Sequence, residues 1–172
     1  MPFVESKIVI NGSKQDIYNI IAKMEDYPKF MESLKSVKIL ERGENYDISE
    51  WDSDVDGRRI AWTERDEFDP INYVITYKQT QGDLKKMEGA WKLIDIADGV
   101  EVSLSVDFEF GIPMISGLLN PILKKKVREN SENMLQAIKL QIEKKKKYLQ
   151  KAAFYFMFYT HELFIIIDMI TL

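Results

Sequence analysis

From Val100 to Phe110 the chain alternates without a break. Val100, Val102, Leu104, Val106, Phe108 and Phe110 fall on one face; Glu101, Ser103, Ser105, Asp107 and Glu109 fall on the other. A period of two predicts a strand with one face in a core and the other in water. Residues 3–10 predict a first strand, closed by the turn Asn11-Gly12. Ser13, with Asp16 three residues on, then starts a helix in the manner of a capping box, and Ile17, Ile20, Ile21 and Met24 follow at helical spacing. Glu25-Asp26-Tyr27-Pro28 should break that helix, because proline disfavours helical geometry at the residue before it. One more short turn is expected over residues 29–33, carrying Phe30 and Met31. Further strands are predicted near 35–42, 45–54, 58–68, 72–81, 86–95 and 99–110. They are separated by Arg42-Gly43, Asp56-Gly57, Asp69-Pro70, Gly82-Asp83 and Asp98-Gly99.

After Gly111-Ile112-Pro113 the period changes. Ile115, Leu118, Leu119, Ile122 and Leu123 share a helical stripe that Val127, Met134, Ile138 and Ile142 continue. Asn120-Pro121 suits an N-cap and first helical residue. A short helix near 114–119 and a long one over 121–148 are therefore expected. Consecutive antiparallel strands must bury one face, and the long helix is the element large enough to cover it. The expected class is α+β: a curved antiparallel sheet of about seven strands wrapped around a long C-terminal helix, with two short helices after the first strand. A curved sheet on one helix leaves space that suits an apolar ligand.

The 172 residues suffice for one domain with a core of its own. The absence of cysteine excludes disulfides, thiolate nucleophiles and Cys-ligated zinc. His161 is the single histidine and lies near the C-terminus, which argues against triads and His–metal sites; no metal and no cofactor is expected. Residues 1–110 hold 14 Lys/Arg against 23 Asp/Glu, whereas residues 111–172 hold 10 against 5. The acidic front argues against a nucleic-acid partner. Asp52, Asp54, Asp56 and Gly57 match the opening of a calcium loop. Its twelfth position, which needs glutamate, is Thr63, so an acidic hairpin turn is the expectation. The N-terminus reads as a strand rather than a signal peptide, and a cytoplasmic location is expected.

Several segments occur together in a familiar order. They are Glu25-Asp26-Tyr27-Pro28-Lys29-Phe30-Met31, the run WTERDEFDP (62–70), Gln81-Gly82-Asp83-Leu84, Met87-Glu88-Gly89-Ala90-Trp91, Phe108-Glu109-Phe110-Gly111-Ile112-Pro113, and Arg128-Glu129-Asn130 on the last helix. With these the chain resembles the START-like (SRPBCC) superfamily, and within it the polyketide cyclase/dehydrase and coenzyme Q-binding START-domain group. The resemblance covers residues 3 to about 147. It implies the helix-grip fold and a cavity, between sheet and long helix, that binds a hydrophobic small molecule such as a polyketide, quinone or lipid. Some members catalyse cyclisation and aromatisation. In these, an arginine of a Ser-Glu-Arg segment points into the cavity. The matching residue here is Arg65 of Thr63-Glu64-Arg65, which makes Arg65 the candidate catalytic residue. Thr63 in place of serine, and Tyr27 where some members have tryptophan, depart from the pattern.

In an apolar pocket the planar fork of Arg65 would hold a ketone or quinone oxygen; the competing role is a structural ion pair with Glu64, Asp66 or Glu50. Strand parity sets a condition. Arg65 shares a face with Ala61 and Thr63, while Trp62 shares one with Glu64 and Phe68, so Trp62 and Arg65 meet the same space only across a bulge. The other expected lining residues are Tyr77, Met87 and Trp91 on neighbouring strands, Leu104, Val106 and Phe108 on the last strand, and Met134 and Ile138 on the helix. Tyr27 and Phe30 are expected as a lid. The expected function is binding, or transport, of a hydrophobic small molecule by a domain of residues 1–148. The alternatives are a polyketide aromatase/cyclase and a partner-binding protein without a small ligand. The hydrophobic tail, 149–172, lies outside the resemblance. Residues 152–172 follow four lysines and approach the length of a membrane span, but His161, Glu162 and Asp168 interrupt them, so membrane contact is open but not favoured, and packing against another subunit or an end without a role is preferred to a spanning helix.

Overall fold

In the computed structural model the backbone is described for residues 2–55, 57–109 and 116–170; the side chains of 55, 58, 116–120 and 153–170 are outside the description. Strand β1 (Phe3–Ile10) is followed by helix α1 (Lys14–Ala22) and a 3-10 turn (Met24–Lys29). Six strands come next: β2 (Leu34–Arg42), β3 (Tyr46–Val55), β4 (Arg58–Asp69), β5 (Val74–Gly82), β6 (Lys86–Ile96) and β7 (Gly99–Glu109). Helix α2 (Ser116–Ile170) closes the order. The six strand runs read from alternation match to within about two residues. The seven strands form one antiparallel sheet in the order β1-β7-β6-β5-β4-β3-β2, so the chain is a helix-grip α+β fold. Among the described residues no helix is long and apolar enough to cross a membrane.

Two expectations about helices are corrected. The segment Glu25-Asp26-Tyr27-Pro28 does not separate two helices; it is itself the second one, a 3-10 turn. The tighter three-residue ladder suits it, because the Asp26 and Phe30 N–H groups reach the Lys23 and Tyr27 carbonyls at 3.0 Å while Pro28 needs no acceptor. The break expected at Asn120-Pro121 is also absent. Pro121 falls in the second turn of α2, where its ring removes a single ladder bond, and the helix runs on through Ile170.

The concave face carries the core. Val4 and Ile10 of β1, Val102, Leu104 and Phe108 of β7, Trp91 of β6 and Ile75 of β5 are buried. Leu135, Ile138 and Ile142 of α2 and Ile17 and Ile21 of α1 complete the cluster. Each such side chain contributes about 1.5–3 kcal/mol by leaving water. Helix α2 packs chiefly against β1, and the 3-10 turn packs against β2. The β3–β4 hairpin has its acidic turn, as expected: Asp54 accepts from the Gly57 N–H at 2.8 Å, and Asp52 pairs with Arg59 at 3.0 Å.

One close approach depends on a glycine. Tyr77 and Gly89 are paired across β5 and β6. A Cβ on Gly89 would lie 1.9 Å from the Ser105 carbonyl oxygen and 2.6 Å from Tyr77 Oη. Gly89→Ala should therefore lower stability by about 1–3 kcal/mol, read from the urea midpoint. An unchanged midpoint would show that the two strands yield freely there.

Candidate functional site

Within the apolar concave face lies one polar island, built by the parity of β4. Trp62, Glu64, Asp66 and Phe68 alternate onto the inner side, and β4 pairs in unbroken register with β3: Trp62 opposite Trp51, Glu64 opposite Ser49, Asp66 opposite Asp47. The register shift in this region lies on β5, where Thr63 faces Gln81 but Glu64 faces Gln79. The bulge thus leaves the alternation of β4 intact. Glu64 is 5% exposed and Asp66 not at all.

Their hydrogen bonds are few and directional. The Trp62 indole N–H donates to Glu64 Oε2 at 2.7 Å. The Trp51 indole N–H donates to Ser49 Oγ at 2.8 Å, which turns the Ser49 hydroxyl proton onto Asp66 Oδ2 at 2.9 Å. The two indoles stack, 5.4 Å apart and 11° from parallel. Asp66 Oδ1 is buried without a conventional donor. Glu64, when protonated, donates to Asp66.

Burial sets the protonation of this pair. It holds the Glu64 carboxyl well above the usual range, and the Asp66 charge pushes it further the same way. Burial likewise raises Asp66 to about 7, against the opposing hydrogen bonds from Ser49 and Glu64. The other groups facing the pair do not neutralise it. Asp47, opposite Asp66, is taken by Arg42, whose Nε and Nη2 reach it at 3.0–3.2 Å. The phenols of Tyr27 and Tyr77 are raised well above 10 by burial and by the two carboxylates, so both stay neutral. Tyr27 donates to the Ile21 carbonyl at 2.6 Å, and Tyr77 to the Ser105 carbonyl at 2.8 Å.

Most of the expected lining residues meet on this face. Tyr27, Trp91, Leu104, Val106, Phe108 and Ile138 are buried in one cluster, and Phe30, Tyr77, Met87 and Met134 pack against it. Tyr27 sits edge-on to Trp51 and Phe30, at 5.9 and 5.8 Å.

Arg65 is the correction. It lies on the opposite, outer face, its Nε 3.1 Å from Glu67 and its guanidinium 3.7 Å from the Tyr46 ring centre. Parity is the reason: with Trp62 inside and no bulge on β4, Arg65 must point out. Two open grooves lie on that outer side. One of about 460 Å³ is lined by Phe3, Arg65, Glu67, Lys78, Glu88 and Asp107 among others. A second, of about 370 Å³, includes Tyr46, Arg65 and Phe68. The two grooves are not the space expected between sheet and helix; Phe110, residues 111–115 and the side chains of 116–120 lie outside the described residues. Glu64 and Asp66 are the polar residues that the sequence reading passed over as site groups. The signal was present, because apolar Trp62 and Phe68 bracket them at even spacing.

The pair has a pH signature. Both folded-state values are raised above those of the unfolded chain, so the stability they confer is complete below about pH 4; the Asp66 part is lost as pH rises through about 7, and the Glu64 part is lost at a pH well above the usual carboxyl range. Urea midpoints should fall across that window, with a limiting slope of about 1.4 kcal/mol per pH unit for each proton released. Asp66→Asn should flatten the profile and raise the midpoint at pH 8. A profile equally steep in this variant would assign the effect to other groups.

Comparison with known proteins agrees with this architecture. Residues 10–135 match the family described as polyketide cyclase / dehydrase and lipid transport. The bifunctional cyclase/dehydratase of the actinorhodin polyketide synthase of Streptomyces coelicolor is 35% identical over 94 residues, which span 54% of this chain and 30% of that protein. The ribosome association toxin RatA of Escherichia coli is 24% identical over 138 residues, or 80% of this chain and 84% of that one. The crystal structure of TTHA0849 from Thermus thermophilus superposes with a TM-score of 0.78 at 24% identity, covering 82% of this chain and 97% of the other. With nearly three-quarters of its length matched by the family and the helix-grip sheet in place, the chain belongs to the polyketide cyclase / dehydrase and lipid transport family of START-like proteins.

Proposed function

We propose that the domain binds a hydrophobic small molecule, of the polyketide, quinone or lipid kind, between the concave face of the sheet and α2. The observation that carries this reading is the composition of the concave face: aromatic and aliphatic side chains around a compact polar island, the usual make-up of a ligand site. The family description, polyketide cyclase / dehydrase and lipid transport, supports the same ligand class. Tyr27 and Tyr77 spend their protons on backbone carbonyls. The Glu64–Asp66 pair is then the polar group a ligand oxygen would meet, that oxygen taking the Glu64 proton in place of Asp66. A carboxyl kept neutral by its surroundings costs far less to hold in an apolar site than a guanidinium would.

A second reading is favoured by the burial of two adjacent carboxyls on one strand face, which raises Asp66 to about 7. A carboxyl poised there suits general acid–base work on an enolisable ketone, as in a cyclase. The actinorhodin relative carries such an activity in its name, over a matched region that is less than a third of its length.

Binding is tested by native mass spectrometry after gentle purification, together with titration by Nile red as a neutral apolar probe. A saturable one-to-one complex is expected. Val106→Trp, which crowds the inner face, should weaken it at least tenfold while keeping a cooperative thermal transition. No co-purifying mass and no saturable probe binding by the wild-type chain would contradict the proposal. Turnover of a poly-ketone that is lost in Glu64→Gln, with probe binding retained, would establish the second reading.

A further inference from the structure

Helix α2 does not end where the sheet ends. Leu135, Ile138 and Ile142 are its last core residues. Beyond them Lys145 reaches Asp16 at 2.7 Å and Lys146 reaches Asn11 at 3.3 Å, at the edge of the domain. The backbone stays helical to Ile170. Residues 148–170 therefore extend about 35 Å further, at about 1.5 Å per residue.

The sequence of this extension is unlike that of a helix in water. Every seventh residue from Leu135 is apolar: Ile142, Leu149, Phe156, Leu163 and Ile170. The row that packs on the sheet thus continues in phase past the domain. Its first member there, Leu149, is 61% exposed, and the neighbouring Tyr148 is 74% exposed. A heptad row alone would suit a second copy of the chain. A two-stranded coil, however, needs polar residues at the positions away from the seam. Here those positions carry Phe154, Met157, Phe158, Phe164 and Ile165. Apolar residues on every face of a helix, even with His161, Glu162 and Asp168 among them, call for an apolar medium along much of its length.

The charge next to it favours a lipid surface. Lys144-Lys145-Lys146-Lys147 stands directly before the apolar stretch. Even while paired with Asp16, the Lys145 side chain is 49% exposed. A lysine cluster beside an apolar helix is what an anionic bilayer attracts. Tyr148, Tyr155 and Tyr159 follow, a residue type that settles at the headgroup level. Glu162 and Asp168 are costly at a bilayer centre, which favours insertion at the interface over crossing.

We propose that the distal part of α2, residues 148–170, is a membrane-insertion element that docks the domain on anionic lipid bilayers, with Lys144–Lys147 as its electrostatic flank. This stands independently of what the domain binds. It would place the concave face beside a reservoir of hydrophobic molecules.

Flotation of the full chain tests it, with phosphatidylcholine vesicles and with vesicles of equal parts phosphatidylcholine and phosphatidylserine. The wild-type protein should float with the anionic vesicles, less so as salt is raised. Replacing all four lysines by glutamine should reduce partitioning onto the anionic vesicles at least tenfold. Phe156→Asp with Ile165→Asp should abolish flotation on both compositions while the thermal transition of the domain is kept. Protein that stays in the lipid-free fraction, and that sediments as a dimer which the Phe156→Asp variant dissolves, would overturn the proposal in favour of a second copy. Equal flotation on neutral and anionic vesicles, unaffected by the lysine changes, would overturn the electrostatic part.

Discussion

The alternation of β4 is the constraint on which the rest of the site depends. With Trp62 stacked on Trp51 and Phe68 turned toward the core, Glu64 and Asp66 between them have no choice of face. Two carboxyls are forced into an apolar surface, and an isolated ionised carboxylate there would be very costly. The fold answers with two indole N–H groups, one serine hydroxyl and a retained proton rather than with a cation. The nearby guanidinium of Arg42 is spent on Asp47 and Glu25. The same alternation sends Arg65 outward to Glu67 and Tyr46. A carboxyl pair holding a proton inside and charges outside are two results of one register.

That register is sustained by close packing. Gly89 lets the Tyr77 ring cross β6 to the Ser105 carbonyl, and the Tyr27 ring closes against Trp51 from the 3-10 turn. The Tyr27 and Tyr77 hydroxyls at the edge of the island are satisfied by backbone carbonyls. What it has left to offer a ligand is a proton and aromatic surface. Those two suit a neutral molecule with an acceptor oxygen better than an anion.

Much of this was legible in the sequence. Strict alternation in β7, and turn pairs such as Asp98-Gly99, located the strands, because a half-buried sheet demands that pattern. The helix-grip order followed from the change of period after Pro113. The core of the concave face was legible for the same reason: Trp91, Leu104, Phe108 and Ile138 sit where alternation or helical spacing places them. Arg65 misled because its residue type suits a ligand anchor while its parity does not; weighing parity above type would have selected Glu64 and Asp66. The 3-10 turn was hidden because Pro28 is a poor α-helical residue yet fits the tighter ladder. The continuity of α2 through Pro121 was hidden because a proline after asparagine suits a helix start, and one past the first turn costs the ladder a bond and crowds the carbonyl four residues back.

The account turns on a carboxyl pair that keeps a proton in an apolar face near neutral pH. Carbon-13 NMR titration of the side-chain carboxyls, assigned with Glu64→Gln and Asp66→Asn, reads this directly. One Asp and one Glu resonance should titrate far above the rest, with Asp66 near 7, and both should move when a neutral quinone is added. Two carboxyls that titrate near 4 with all the others, and that ignore the quinone, would contradict the account.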